Sequence, residues 1–498
     1  MTADLVPAPV LFPLVGAAIA VTLGRRPRAQ ARIALVALSA AVVTSVLLLL
    51  AVRDGDVVVA RIGGWTAPVG ITLVVDAFAA LLLTISSVVL LAVFVFAMSQ
   101  RIPPERWTTF STSYLVLAAG VGLAYTTSDL FNLFVAVEVT LVASYVLISL
   151  RSDGATIRNT MIYIVINLVA SSLLIIMIAI VYAATGSVSM AELATRVGDL
   201  PTGLDSALGL LFVLVFGIKA GLFPLFFWLP DAYPTALTPV TAIFAGLLTK
   251  VGVYAIIRTQ TLMFPTDGAS SVLLVIAGLT MVVGVLGALA QDDIKRILSF
   301  HIVSQVGYMV MGLALSTVAG IAGAIFYMVH HIPVKTGLFL AAGLVERRGG
   351  SSAIGQLGAM RRRAPAIAAL FAVPALSIAG IPPFSGFVAK LGLVRAGLDA
   401  GQGGIVAVSL AVSLLTLMSM VKIWSGVFWG EAPEPTDHDE PSAGTPTRLP
   451  GGMLGAAACV AGIVLAVGFG AGPVWDLSTT AARTLDAPLA YVEAVLGR

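Results

Sequence analysis

The chain has 498 residues, 59% of them hydrophobic and only 11% charged, with a formal net charge of +3. Soluble domains carry about 25% charged residues, so this composition excludes a soluble fold and makes lipid the solvent for most of the chain. A single cysteine, Cys459, rules out an internal disulfide. It reads as a small apolar packing residue. Neither a CxxC nor a Cys/His cluster is present to hold a metal, and no GxGxxG or GxxxxGK[ST] motif offers a nucleotide site. The sequence therefore predicts no metal, no cofactor and no nucleic-acid partner.

The first apolar stretch, residues 5–24, lacks a basic leader region and reads as a membrane span rather than a cleaved signal. A span needs about 20 mostly apolar residues. Further candidates lie at 33–52, 72–99, 111–127, 129–150, 159–184, 205–228, 237–258, 269–290, 298–316, 318–345, 365–394, 404–430 and 452–473, which predicts an all-α, polytopic membrane protein with about fourteen transmembrane helices. Summing Lys and Arg over alternate loops gives sixteen on one side, including Arg106, Arg151, Lys295, Arg347 and Arg361–Arg363, against seven on the other, including Arg61, Arg196 and Arg258. By the positive-inside rule both termini lie outside the plasma membrane and the Arg361–Arg363 loop lies in the cytoplasm. Residues 431–450 are acidic and proline-rich and read as a solvated cytoplasmic loop; residues 476–496 mix apolar and charged positions and predict an amphipathic helix on the outer surface.

The ionisable residues carry the functional signal. Five of the six lysines, Lys219, Lys250, Lys335, Lys390 and Lys422, fall inside apolar segments, whereas nearly all the arginines fall in loops or at helix ends. Lysine can lose its proton when desolvated and arginine cannot, so a chain that loads and releases protons at membrane depth uses lysine. An unpaired charge at mid-bilayer costs about 2.5–3.5 kcal/mol on insertion scales, and such residues mark ion pathways. Glu138 is the one clear mid-membrane acid, and a buried lysine is its natural partner. A static ion pair is the simpler role for it. Lys219 is followed by Pro224, and Lys390 is preceded by Pro382, Pro383 and Gly386, so each lysine sits beside a predicted helix break. Such a break is tolerated at membrane depth where it is buried or lines a cavity. The two lysines are 171 residues apart, which suggests an internal repeat; with five helices per unit, successive units point opposite ways. The resulting division is three helices in 1–110, five-helix repeats in 111–260 and 261–430, the acidic loop 431–451, and a last span with the amphipathic helix in 452–498. His331 and Lys335 share a helix face, and adjacent His330 points elsewhere. Lys422, near Trp424 and Trp429, reads as snorkelling to the interface.

Four stretches carry a family resemblance: DLFNLFVAVEV (129–139), FGIKAGLFPLFFWLPDAYPTALTPVTAIFAGLLTKVGVYAI (216–256), DDIKRILSFHIVSQVGYM (292–309) and IAGIPPFSGFVAKLGL (378–393). The chain resembles the antiporter-like subunits shared by respiratory complex I, membrane-bound hydrogenases and the Mrp multisubunit Na+/H+ antiporters, and looks most like the D-type branch of the Mrp subunits. The resemblance implies that Glu138 pairs with Lys219, that Lys250, His330, His331 and Lys335 form a central relay, and that Lys390 ends the second half-channel. It also implies a proton-translocating subunit that works with other subunits of a Na+/H+ antiporter complex in a lipid bilayer and holds no redox centre of its own. A pumping subunit of an NADH:quinone oxidoreductase or membrane hydrogenase is the alternative. The chain departs from the family where WLPDAH is usual: Tyr233 replaces the histidine, which removes a titratable group near the expected cytoplasmic mouth. No cluster of carboxylates marks a Na+ site.

Overall fold

The computed structural model describes every residue except 1, 25, 101, 152–153, 202, 265–269, 432–448 and 498. The acidic loop expected over 431–450 therefore lies, apart from its ends, outside the described residues. Lipid offers a bare backbone no hydrogen-bond partner, so the apolar segments satisfy their own backbone groups as helices. In chain order these are α1 (Ala8–Thr22), α2 (Pro27–Val52), α3 (Ala77–Ser99), α4 (Pro104–Thr126), α5 (Leu130–Ile148), α6 (Gly154–Thr185), α7 (Leu204–Ala220), α8 (Thr238–Leu262), α9 (Ser270–Leu289), α10 (Ile294–Ala314), α11 (Val318–Gly349), α12 (Pro365–Ala379), α13 (Ser385–Asp399), α14 (Gly403–Trp429), α15 (Gly451–Phe469), α16 (Ala471–Asp486) and α17 (Leu489–Leu496). Among the described residues, eleven helices are long and apolar enough to cross a membrane. Helices α4, α7, α12 and α13 fall outside that set by length or polarity.

Several expected boundaries move. Residues 72–75 are not helical: β2 (Thr72–Val75) pairs antiparallel with β1 (Val58–Arg61), and α3 begins only after Asp76, whose carboxylate accepts from the Ala79 N–H as an N-cap. The spans expected over 205–228 and 365–394 are each split in two. Helix α7 ends at Gly221 (φ 78°) and α12 at Gly380 (φ 86°), left-handed positions that glycine adopts without a Cβ penalty. The chain resumes as a short helix, Trp228–Ala232, and as α13. Cys459 does not pack inside the protein; it lies exposed on α15.

Helices α8, α10 and α11 form the centre: their apolar windows are 94%, 94% and 100% buried, against 39% for α1, α2, α6 and α9. The 32-residue α11 is the axis, packed by α3, α10, α12, α13, α15 and α16.

The two ends of the bundle differ in charge. At one end lie the hairpin, the N-termini of α3 and α5, the last turn of α8, and α16 and α17. There Ser128 N–H donates to the Thr72 carbonyl, and Arg258 makes a bidentate pair with Asp76 at 2.6 and 2.8 Å. Arg258, expected in a loop, is thus buried in α8 by a carboxylate at the foot of α3 and by the Tyr254 and Tyr491 rings. At the other end Arg106 donates to the Leu150 carbonyl and Arg347 to that of Gln100, Arg296 pairs with Asp231, and Lys295 pairs with Glu346. Lys295, also expected in a loop, is buried in the first turn of α10, because Asp293 caps that helix several residues earlier than its apolar pattern begins. Asp129 caps α5 in the same way at the opposite end. Each cap residue also makes an isolated antiparallel bridge, Asp129 to Ser189 and Asp293 to Ala353.

Candidate functional site

Glu138, on α5, is half-buried. Its carboxylate accepts from the Ser171 hydroxyl of α6, and Ser171 Oγ accepts from Lys219 Nζ at 3.1 Å. The expected carboxylate–lysine pair is therefore bridged by a hydroxyl. Lys219 stands two residues before the left-handed cap of α7, and its side chain is nearly sealed. Beside it a cavity of about 30 Å³ is lined by Asn167, Trp228, Tyr233, Leu248 and Gly252, room for about one water. Tyr233 is fully buried and faces this cavity, and its hydroxyl has no partner among the described residues.

Lys250 follows a π-helical turn, Phe244–Leu248, that adds a residue to one turn of α8. Its ammonium donates to the Ala245 carbonyl at 2.7 Å and the Thr249 hydroxyl at 3.0 Å. Lys335, on α11, donates to the Leu298 carbonyl of α10 at 3.0 Å. Between them His331 lies within electrostatic reach of Lys250, Lys335, His330 and His301, and neither ring nitrogen has a hydrogen-bond partner among the described residues. His330 turns to another face: Nδ1 lies 2.8 Å from Ser385 Oγ, itself 3.1 Å from Ser377 Oγ.

Lys390 completes the set. It stands on α13, after the break, but its side chain reaches back. Its ammonium donates to the Ile378 and Ala379 carbonyls at 2.9 and 3.2 Å and to Ser413 Oγ at 2.9 Å. Those carbonyls close α12, so the cation sits at the negative end of a helix dipole. Gly386 lets α13 press against α12: a Cβ there would lie 1.8 Å from the Ser377 carbonyl oxygen.

Two features go beyond the sequence reading. Pro224, Pro382 and Pro383 are themselves exposed on the flanks of the bundle, while Lys219 and Trp228, on either side of the α7 break, line the small cavity. Sequence reasoning also missed His301. It is fully buried on α10, with Nε2 2.5 Å from Ser419 Oγ, and within electrostatic reach of Lys335 and Lys390. Superposing the two cap residues, Asp129 and Asp293, places His301 at the position of Val137, next to Glu138, and that alignment was the signal available. Lys422 lies, as its neighbours suggested, at a helix end: it donates to the Leu289 and Gln291 carbonyls and pairs with Asp292 at 2.8 Å.

The ammonium, imidazole and hydroxyl groups buried on α5–α13, with one half-buried acid among them, are groups that can hold and pass protons. This is a polytopic helical membrane subunit with ionisable side chains buried along its centre. The transmembrane model of NADH:quinone oxidoreductase and Mrp antiporter subunits matches residues 127–416, and the chain belongs to that family. It is 42% identical to the D-type subunit of the Na(+)/H(+) antiporter of Alkalihalophilus pseudofirmus over 99% of both chains, and 36% identical to that of Bacillus subtilis over 98% of both. A chain of the Mrp complex of a Dietzia species superposes with a TM-score of 0.92 at 36% identity, covering 99% of each chain. A chain of an archaeal membrane-bound sulfane sulfur reductase superposes with a TM-score of 0.87 at 27% identity, again over 99% of each.

Proposed function

We propose that the chain is the proton-translocating D-type component of a multisubunit Na+/H+ antiporter in the plasma membrane. Its protons pass along Glu138, Lys219, Lys250, His330, His331, Lys335 and Lys390, with His301 added. The observation that carries this reading is the Glu138–Ser171–Lys219 bridge beside the α7 break. A carboxylate near an ammonium favours both charged forms, so a change in their separation switches the lysine between holding and releasing a proton. The hydroxyl keeps the two groups close without locking them in direct contact. Each later cation repels a proton arriving next to it, so loading one site favours emptying the next.

The full count of fourteen spans, in two inverted five-helix repeats, is part of the proposal. Its support is the pairing of Asp129 with Asp293 as caps at opposite ends and of Gly221 with Gly380 at the two breaks. The gathering of Arg106, Arg296, Lys295 and Arg347 at one end supports a cytoplasmic placement of that end and outer termini.

The test is Na+-dependent proton movement in inverted vesicles of an antiporter-deficient host expressing the complete gene cluster. Lys219→Ala is expected to abolish exchange while the complex still assembles. Persistence of exchange in that variant would defeat the relay. The likeness to a sulfane sulfur reductase chain favours a second reading, a pumping subunit of a redox-linked complex. It takes first place if the wild-type cluster shows no exchange.

A further inference from the structure

Among the charged pairs outside the relay, Lys295–Glu346 lies nearest the Lys335 contact. Lys295 Nζ is 2.5 Å from Glu346 Oε2, with the lysine side chain 3% exposed and the glutamate 28% exposed. The pair joins the first turn of α10 to the last turns of α11. Two cavities of about 280 and 270 Å³ open at this basic end, and both are lined by Lys295, Glu346 and Arg151. The other charged groups lining them are Asp231, Asp293, Arg296 and Arg347, of which Asp231 and Arg296 pair with each other and Asp293 accepts from Ser352. Cavities of that size, lined by charge, hold water. The second also reaches Thr238 and Gly343, on the two central helices that carry Lys250 and Lys335. Inward from the pair, the Leu298 carbonyl accepts from Lys335 Nζ; Leu298 is one helical turn, about 4.5 Å of rise, beyond Lys295.

The pair thus lines both cavities, one helical turn from the carbonyl that accepts from Lys335. We propose that Lys295 and Glu346 form the proton gate at this end: Glu346 exchanges protons with the vestibule water and Lys295 exchanges them with Lys335. Inward, a proton from water neutralises the Glu346 carboxylate. The Lys295 ammonium gives its proton to the Lys335 amine and regains one from the Glu346 carboxylic acid. The Glu346 carboxylate and the Lys295 ammonium are restored with one proton moved to Lys335; outward transfer reverses each step. An acid is needed at the water side because it reloads directly from water, and a buried cation inside it blocks passage of other cations through the same opening.

This inference rests on the relay reading, and the experiment separates the two. In the complete complex, with assembly checked by co-purification, Glu346→Gln and Lys295→Met are expected to slow exchange at least tenfold. The exchanged pair, Lys295→Glu with Glu346→Lys, restores an ion pair between α10 and α11 but reverses the order of acid and base. It is expected to assemble and to stay slow. Recovery of wild-type exchange by the swap would show that the pair only pins the helices, and wild-type exchange in Glu346→Gln would overturn the gate outright. Should those variants fail to assemble, Glu346→Asp keeps the charge and is expected to show slower exchange with a larger H2O/D2O rate ratio; an unchanged ratio overturns the gate. Lys219→Ala in parallel identifies which claim fails: survival of exchange there defeats the relay, whereas loss there with a fast Glu346→Gln defeats the gate alone.

Discussion

The two broken helices solve one problem in two ways. At α7 the lysine is on the helix that ends, two residues before its glycine cap, and a hydroxyl joins it to an acid. At α12 the corresponding residue is Ile378, which carries no charge; the lysine comes from α13, beyond the break, and lays its ammonium on the Ile378 carbonyl. Both ammonium groups end beside the last turn of a half-helix that stops at a left-handed glycine. One is balanced by a carboxylate, the other by the carbonyls of a helix terminus and a serine hydroxyl. The position of the charge is therefore kept in space while its place in the sequence and its partner change. The carboxylate gives the first site a partner that can itself gain or lose a proton; the helix terminus gives the second a fixed one.

That contrast can be broken by substitution. Lys390→Ala should lower exchange on the order of a hundredfold, as expected when a group that carries the transferred proton is removed. Near wild-type rates in vesicles would mean the second site is a helix clasp. Ser171→Ala removes the bridge at the first site and should slow exchange about tenfold, in line with the loss of one hydrogen bond to a charged group; the equivalent change at the second site, Ser413→Ala, should cost less, because two carbonyls remain. Equal losses would erase the asymmetry. Gly380→Ala puts a side chain at φ 86° and a Cβ 2.9 Å from Lys390 Cδ, so thermal melts of the purified complex should show destabilisation of about 1–2 kcal/mol together with slower exchange. The smallest effect is expected from Lys422→Met, which caps α9 at the surface: exchange within about twofold of wild type. A large loss would extend the relay to α14.

The lysine sorting, the apolar runs and the proline–glycine clusters were enough to read a helical membrane protein with buried lysines, because the cost of placing a charge in lipid is local and leaves its mark on composition. Residue spacing also showed His331 and Lys335 on one face. What the sequence could not carry was which groups touch. Ser171 is separated from Glu138 by 33 residues and from Lys219 by 48, and serines are too common in apolar helices to single one out. Lys295 and Arg258 read as loop charges because each lies next to a loop; only the carboxylates brought to them by α11 and α3 make burial possible there. His301 needed the two caps superposed before its position beside the acid site's counterpart stood out. Composition and periodicity fix the solvent of each segment. Partners across helices are fixed by packing, and since the members of the proposed relay come from α5, α6, α7, α8, α10, α11 and α13, packing decides which groups meet.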